Sequence, residues 1–142
     1  MKLFDSHCHL DDKSYRRDLE GVLARANSAG IARMMSIGIN KRTSAIAVSL
    51  AQSHREIYAS VGVHPHDVKN CNESILGELV DLAQHKEVRA WGEIGLDYHF
   101  VKHAHRYPAQ RKVFEHFLAA AARHQVDHAV GQARVAQDLH DE

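Results

Sequence analysis

The chain has 142 residues, 44% hydrophobic and 25% charged, with 18 Lys and Arg against 18 Asp and Glu. That length suits one ordinary domain with its own core. The balanced charge excludes a broad basic face for nucleic acid or an anionic membrane, so a nucleic-acid substrate would have to be held by a local site such as a metal.

After Met1-Lys2-Leu3-Phe4 the charged Asp5 ends the apolar run, so no secretory leader is expected. No stretch approaches the roughly 20 apolar residues of a membrane span. Cys8 and Cys71 form no Cys-x-x-Cys pair. The expectation is a reduced, cytoplasmic protein with both cysteines free and no membrane partner.

In chain order, residues 2–5 (KLFD) read as a short strand. Residues 15–30 place Leu19, Val22, Leu23, Ala26 and Ala29 on one helical stripe, with Gly30 as its stop. Residues 33–39 (RMMSIGI) read as a buried strand, and residues 43–54 as a helix with Ala45, Ile46, Leu50 and Ala51 in register. Residues 57–63 (IYASVGV) read as a third strand, and residues 73–86 as a third helix. A fourth strand is predicted over 88–96 and a fourth helix over 108–124, with Pro108 in its first turn. Four strand-helix units in a row imply α/β architecture with parallel strands and right-handed crossovers. Alternation alone does not separate an open doubly wound sheet from a (β/α) barrel. Residues 1–124 read as one unit. Residues 125–142 do not continue the pattern: Asp127, Gly131, Gln132 and Arg134 interrupt any apolar run, and the tail reads as a weak helix or disorder.

The chemistry concentrates at strand ends. In DSHCHLDD (5–12), alternation along a strand points Asp5, His7 and His9 to one face and Cys8 to the other. Two imidazoles there form half a metal site, with Asp5 a candidate to fix a ring tautomer. Equally, they cap a strand in a chain that has 13 histidines. His64-Pro65-His66 ends the third strand on the same rim, either contacting a bound water, substrate or phosphate or forming an ordinary turn. His103-Ala104-His105 lies in a polar loop and reads as solvated. Glu93 stands between Gly92 and Gly95, where an inward carboxylate is costly unless it meets a cation. A carboxylate can bridge two metals where a neutral imidazole cannot. A salt bridge to Arg33, Arg89 or a lysine is the alternative reading of Glu93. Asp97 follows in the next loop, in reach of a supporting role. No dinucleotide, P-loop or serine nucleophile motif is present.

Together, DSHCHLDD, SVGVHPHD (60–67) and GEIGLDYH (92–99) resemble the TatD family of metal-dependent deoxyribonucleases, which belongs to the amidohydrolase-like TIM-barrel enzymes. The resemblance covers residues 1 to about 124. It implies a (β/α) barrel with its site on the C-terminal rim. It implies that His7 and His9 bind one divalent ion and that Glu93 bridges to a second, with Asp5, His64, His66 and Asp97 contacting substrate or supporting the ligands. Mg²⁺, Mn²⁺ or Zn²⁺ suits such mixed ligation. The implied reaction is hydrolysis of phosphodiester bonds in DNA or a related substrate, one ion activating water and both stabilising the phosphate charge. A metal-binding fragment without turnover, an amidohydrolase acting on C–N bonds, and a plain α/β interaction module are the alternatives.

The chain departs from that family after its fourth unit. A barrel of this kind needs ~250 residues. In the family an apolar strand ending His-Ser-Arg follows the fourth helix and supplies a further ligand; here the stretch reads HQVDHAVGQARVAQ (124–137). The expected histidine falls near Gly131, and its role does not pass to His128. The expectation is a barrel truncated to four units with an unrelated tail, arising from a shifted reading frame, which sequencing of the coding DNA tests. Strands one and four would be open edges. The inward layer, expected to include Phe4, Ile37, Val61 and Ile94, would lack its opposing strands, so the chain is expected to self-associate.

Overall fold

The computed structural model describes residues 1–99 and 107–123. Strands β1 (Leu3–Cys8), β2 (Ile31–Ile37), β3 (Ile57–Val61) and β4 (Val88–Trp91) form one parallel sheet in the order β1-β2-β3-β4. Helices α1 (Leu19–Ser28), α2 (Lys41–Ser53) and α3 (Glu73–Leu82) make the crossovers, and α4 (Tyr107–Arg123) follows β4. A doubly wound sheet reverses its strand order partway; this one never does. With right-handed crossovers, an unreversed order lays every helix on one face, which is the winding of a (β/α) barrel.

The main core lies between sheet and helices. Met34, Ala59, Val61 and Trp91 from the strands meet Ala47, Val48, Leu79 and Phe117 from the helices. Trp91 and Phe117 are both buried, with ring centroids 5.5 Å apart. Strand alternation sends the intervening residues to the other face, where Met35, Ile37 and Ala90 cluster with Ile39 and Tyr58. Val61 and Ile94 therefore belong to the helix-side core, contrary to the expected inward layer, while Ile37 lies on the inward face. Phe4 is 50% exposed and meets the Tyr58 ring at 6.3 Å.

Several boundaries moved from their sequence-based positions. β1 runs on to Cys8 because Cys8 pairs in register with Ser36 of β2. Pairing overrides the weak strand preference of Asp5 and Ser6. The first predicted helix splits: Lys13–Tyr15 form a 3-10 turn whose first N–H groups are met by Asp12, and α1 begins at Leu19. α2 starts at Lys41, two residues earlier than its periodicity suggests. Asn40 and Thr43 set that start by a reciprocal capping box. A 3-10 helix over Pro65–Asn70, absent from the sequence reading, holds the His-Pro-His segment. β3 and β4 end at Val61 and Trp91, before Gly62 and Gly92, rather than at 63 and 96. α3 ends at Leu82. The His103-Ala104-His105 loop and the tail over 125–142 lie outside the described residues. Among the described residues no helix is long and apolar enough to cross a membrane.

Candidate metal centre

β1 delivers the first two donors. His7 lies in the strand and His9 one residue beyond its end, their rings 5.2 Å apart and nearly perpendicular. Asp5 Oδ1 accepts from the backbone N–H of His7 at 3.1 Å, so it braces the strand end rather than an imidazole. The Cys8 thiol points away and donates to the Met35 carbonyl at 3.2 Å. Burial, aided by the charge of Asp5, pushes that thiol up to about 12 from 9.0, which removes it as a nucleophile.

Glu93 has further to travel. β4 stands three strand spacings from β1, roughly 14 Å in a flat sheet. The chain crosses that gap over the ends of β3 and β2. Gly92 N–H donates to the Val61 carbonyl at 3.0 Å, and Glu93 N–H reaches the Gly38 carbonyl at 2.7 Å. Ser60 Oγ donates to the Gly92 carbonyl at 2.7 Å and holds the crossing down. The crossing needs a residue without a side chain beneath it: a Cβ on Gly62 would lie 2.9 Å from the Gly92 carbonyl carbon.

The result is a convergence. Donor atoms of His7, His9 and Glu93 all lie within 4.8 Å of one another. Glu93 forks, its Oε2 standing 3.7 Å from His7 Nε2 and its Oε1 3.7 Å from His64 Nε2, with the carboxylate side chain 18% exposed. Those gaps exceed a hydrogen bond. They are close to the roughly 3–3.5 Å that separates adjacent donors around an ion with ligands at about 2.1 Å. Two imidazoles and one carboxylate therefore fit a divalent cation and leave coordination positions for water and substrate. Arg33 and Arg89 do not pair with Glu93: Arg33 Nη1 donates to the Ala32 carbonyl, and Arg89 sits over the Tyr58 ring. Ser6, His7, Ser60, Gly92 and Glu93 border one recess floored by Met35, Ile37 and Ala90.

His64 and His66 play different parts. His64 N–H is tied to the Ile39 carbonyl at 2.8 Å. His64 Nδ1 accepts from the backbone N–H of His66 at 3.2 Å. Its neutral form therefore carries the proton on Nε2, facing Glu93. Burial holds the His64 pKa below its usual value, with the Glu93 charge acting against that burial. His66 instead meets Asp97, Nε2 to Oδ2 at 2.6 Å. The Asp97 carboxylate also accepts the His99 backbone N–H at 3.0 Å.

Sequence reasoning grouped these seven residues as one candidate site but missed what positions them. Gly38, Gly62 and Gly92 each follow the last residue of β2, β3 and β4. That repeat is visible in the sequence as SIG, SVG and AWG, yet its purpose appears only when the strands stand side by side. Asn40 Nδ2 donates to Asp67 at 2.8 Å, fastening the His-Pro-His turn to the start of α2.

A sequentially wound parallel sheet of this order has the winding of half a (β/α) barrel, and its carboxyl rim gathers His, His and Glu donors that could hold a metal ion. The chain belongs to the TatD-related DNase family, whose model matches residues 4–130. It is 36% identical over 119 residues to a Bacillus subtilis protein named an uncharacterized metal-dependent hydrolase YabD, covering 84% of this chain and 46% of that one. It is 37% identical over 120 residues to an Enterobacter lignolyticus protein named the 3'-5' ssDNA/RNA exonuclease TatD, covering 84% and 45%. The crystal structure of the Escherichia coli TatD homologue YjjV superposes with a TM-score of 0.76 at 27% identity, covering 88% of this chain and 48% of that one. A TatD family hydrolase from Entamoeba histolytica shares the fold, with a TM-score of 0.73 at 21% identity. The chain thus spans about half the length of the relatives it matches.

Proposed function

We propose that this chain carries one half of the metal site of a phosphodiester hydrolase acting on single-stranded DNA or RNA. The observation that carries the reading is the convergence of His7, His9 and Glu93 donors within 4.8 Å. His7 and His9 would hold a divalent ion, with Glu93 as the carboxylate donor beside them. A bound Mg²⁺, Mn²⁺ or Zn²⁺ would supply a water acidic enough to attack phosphorus and positive charge for the phosphate oxygens. The protein's own share is orientation. Asp5 braces the β1 end, and the glycine crossing carries Glu93 to it, with His64 Nε2 standing 3.7 Å from Glu93 Oε1. Relatives named as exonucleases support the substrate class.

The test is nucleotide release from a single-stranded oligonucleotide with Mg²⁺ or Mn²⁺, with EDTA, and with His7→Ala. Release that EDTA and His7→Ala both abolish is the expected result. A second reading follows from the chain's spanning about half the length of its relatives: the site binds metal without turnover. Metal binding lost in His7→Ala, with no release above that variant, selects it. No metal binding at all sinks both.

A further inference from the structure

The Asp97 backbone is held from outside its own loop. Gln110, fully buried on α4, accepts the Asp97 backbone N–H through Oε1 at 3.0 Å and donates from Nε2 to the Asp97 carbonyl at 3.2 Å. One amide thus satisfies both polar groups of one backbone residue. A glutamine suits this task because its two ends offer one acceptor and one donor in a fixed plane. On that held backbone the carboxylate places Oδ2 on His66 Nε2 and Oδ1 on the His99 N–H. Asp97 is nearly buried, with 12% of its side chain exposed, while His66 keeps 47%. The chain of contact therefore runs from the helix layer to an imidazole on the rim. That imidazole lies 4.5 Å, centroid to centroid, from His64, which faces Glu93.

We propose that Gln110 is a positioning residue for the rim. It locks Asp97 so that Asp97 presents His66 to the phosphodiester in one orientation and one tautomer, the proton on Nε2. The assignment rests on reading this rim as a hydrolytic site, but its structural half can be measured apart from activity. A carboxylate hydrogen-bonded to one ring nitrogen fixes which nitrogen carries the proton. Losing the clamp leaves two buried backbone groups unsatisfied and frees the carboxylate to turn.

The experiment uses the metal-free chain at about pH 8, where an ordinary imidazole is neutral. Long-range proton–nitrogen NMR of the ring reports the His66 tautomer, assigned with His66→Gln. Amide exchange reports the Asp97 N–H. Wild type is expected to show a single His66 tautomer and a protected Asp97 amide. Gln110→Met, which keeps shape and removes both bonds, is expected to give mixed tautomers and Asp97 exchange faster by about tenfold, the scale of one lost hydrogen bond. Gln110→Glu retains the acceptor and loses the donor, and is expected to fall between. Mn²⁺ affinity should stay within about twofold in Gln110→Met, because His7, His9 and Glu93 do not touch Gln110. A single tautomer that persists in Gln110→Met overturns the proposal. So does a wild-type Asp97 amide that exchanges as an open loop, a result that needs no variant to fold. If wild type binds no Mn²⁺, the metal reading fails while the tautomer data still decide the clamp.

Discussion

At the scale of single residues, environment decides which polar groups do chemistry. Among the described residues Glu93 is paired with two imidazoles and with no lysine or arginine, which makes a cation its natural partner. Glu93→Gln keeps the shape and removes the charge; calorimetric titration with Mn²⁺ or Zn²⁺ should show affinity falling at least about 100-fold, the upper end of what losing a mere supporting contact costs. An affinity within tenfold of wild type would remove Glu93 from the ligand set. Cys8 shows the opposite outcome, a potentially reactive group disarmed by burial. Its folded pKa of about 12 exceeds the ordinary 9.0, so the folded state holds the thiol proton more tightly. The stability this contributes is complete below pH 9 and is lost as pH rises toward 12. Urea midpoints measured across that range should fall more steeply for wild type than for Cys8→Ala. Alkylation of Cys8 at about pH 8 should be far slower than that of a free thiol.

At the scale of elements, strand ends and helix starts place the site. Asn40 Oδ1 accepts the Thr43 N–H at 3.1 Å, and Thr43 Oγ1 accepts the Asn40 N–H at 3.0 Å. Asn40→Ala removes half of that box and the link to Asp67, and should cost about 1 kcal/mol in denaturant unfolding. Gly38 is a sterner case. A Cβ there would lie 2.7 Å from Ser44 Cα and 2.8 Å from the Ser60 carbonyl. Its carbonyl also receives Glu93 N–H. Gly38→Ala should therefore destabilise by about 1–3 kcal/mol and weaken metal binding together. Lower stability with unchanged metal affinity would show that Glu93 does not depend on this crossing. Phe117, fully buried against Trp91, reports the helix layer: Phe117→Ala should cost about 3–5 kcal/mol.

At the scale of the whole molecule, the sheet has two edges. Among the described residues β1 pairs only with β2, and β4 only with β3. Leu3 is 45% and Phe4 50% exposed on the β1 edge, and Met35, Ile37 and Ala90 line the inward face. Unpaired strand edges beside apolar surface favour pairing with another chain. Light scattering should give a particle heavier than the 16.0 kDa chain, and Phe4→Lys should shift it toward that mass. A wild-type particle of 16.0 kDa would remove self-association from the account.

Much of this was written in local pattern. Apolar periodicity fixed four strand-helix units, because residues of one element meet the core at the spacing of its own repeat. Three short motifs located His7, His9, His64, His66 and Glu93 at strand ends and Asp97 in the loop beyond, because alternation and chain direction are local properties. What the tertiary structure decided was distance and partnership. Sheet order, not periodicity, separated a barrel-type winding from a doubly wound one. It put Val61 and Ile94 with the helices and left Ile37 on the inward face. It turned Asp5 to a backbone N–H, brought Glu93 across two strand ends to His7, and tied Asp97 to Gln110. Such contacts join residues far apart in the chain, and a single sequence encodes which groups a segment carries but not which distant segment will stand beside it.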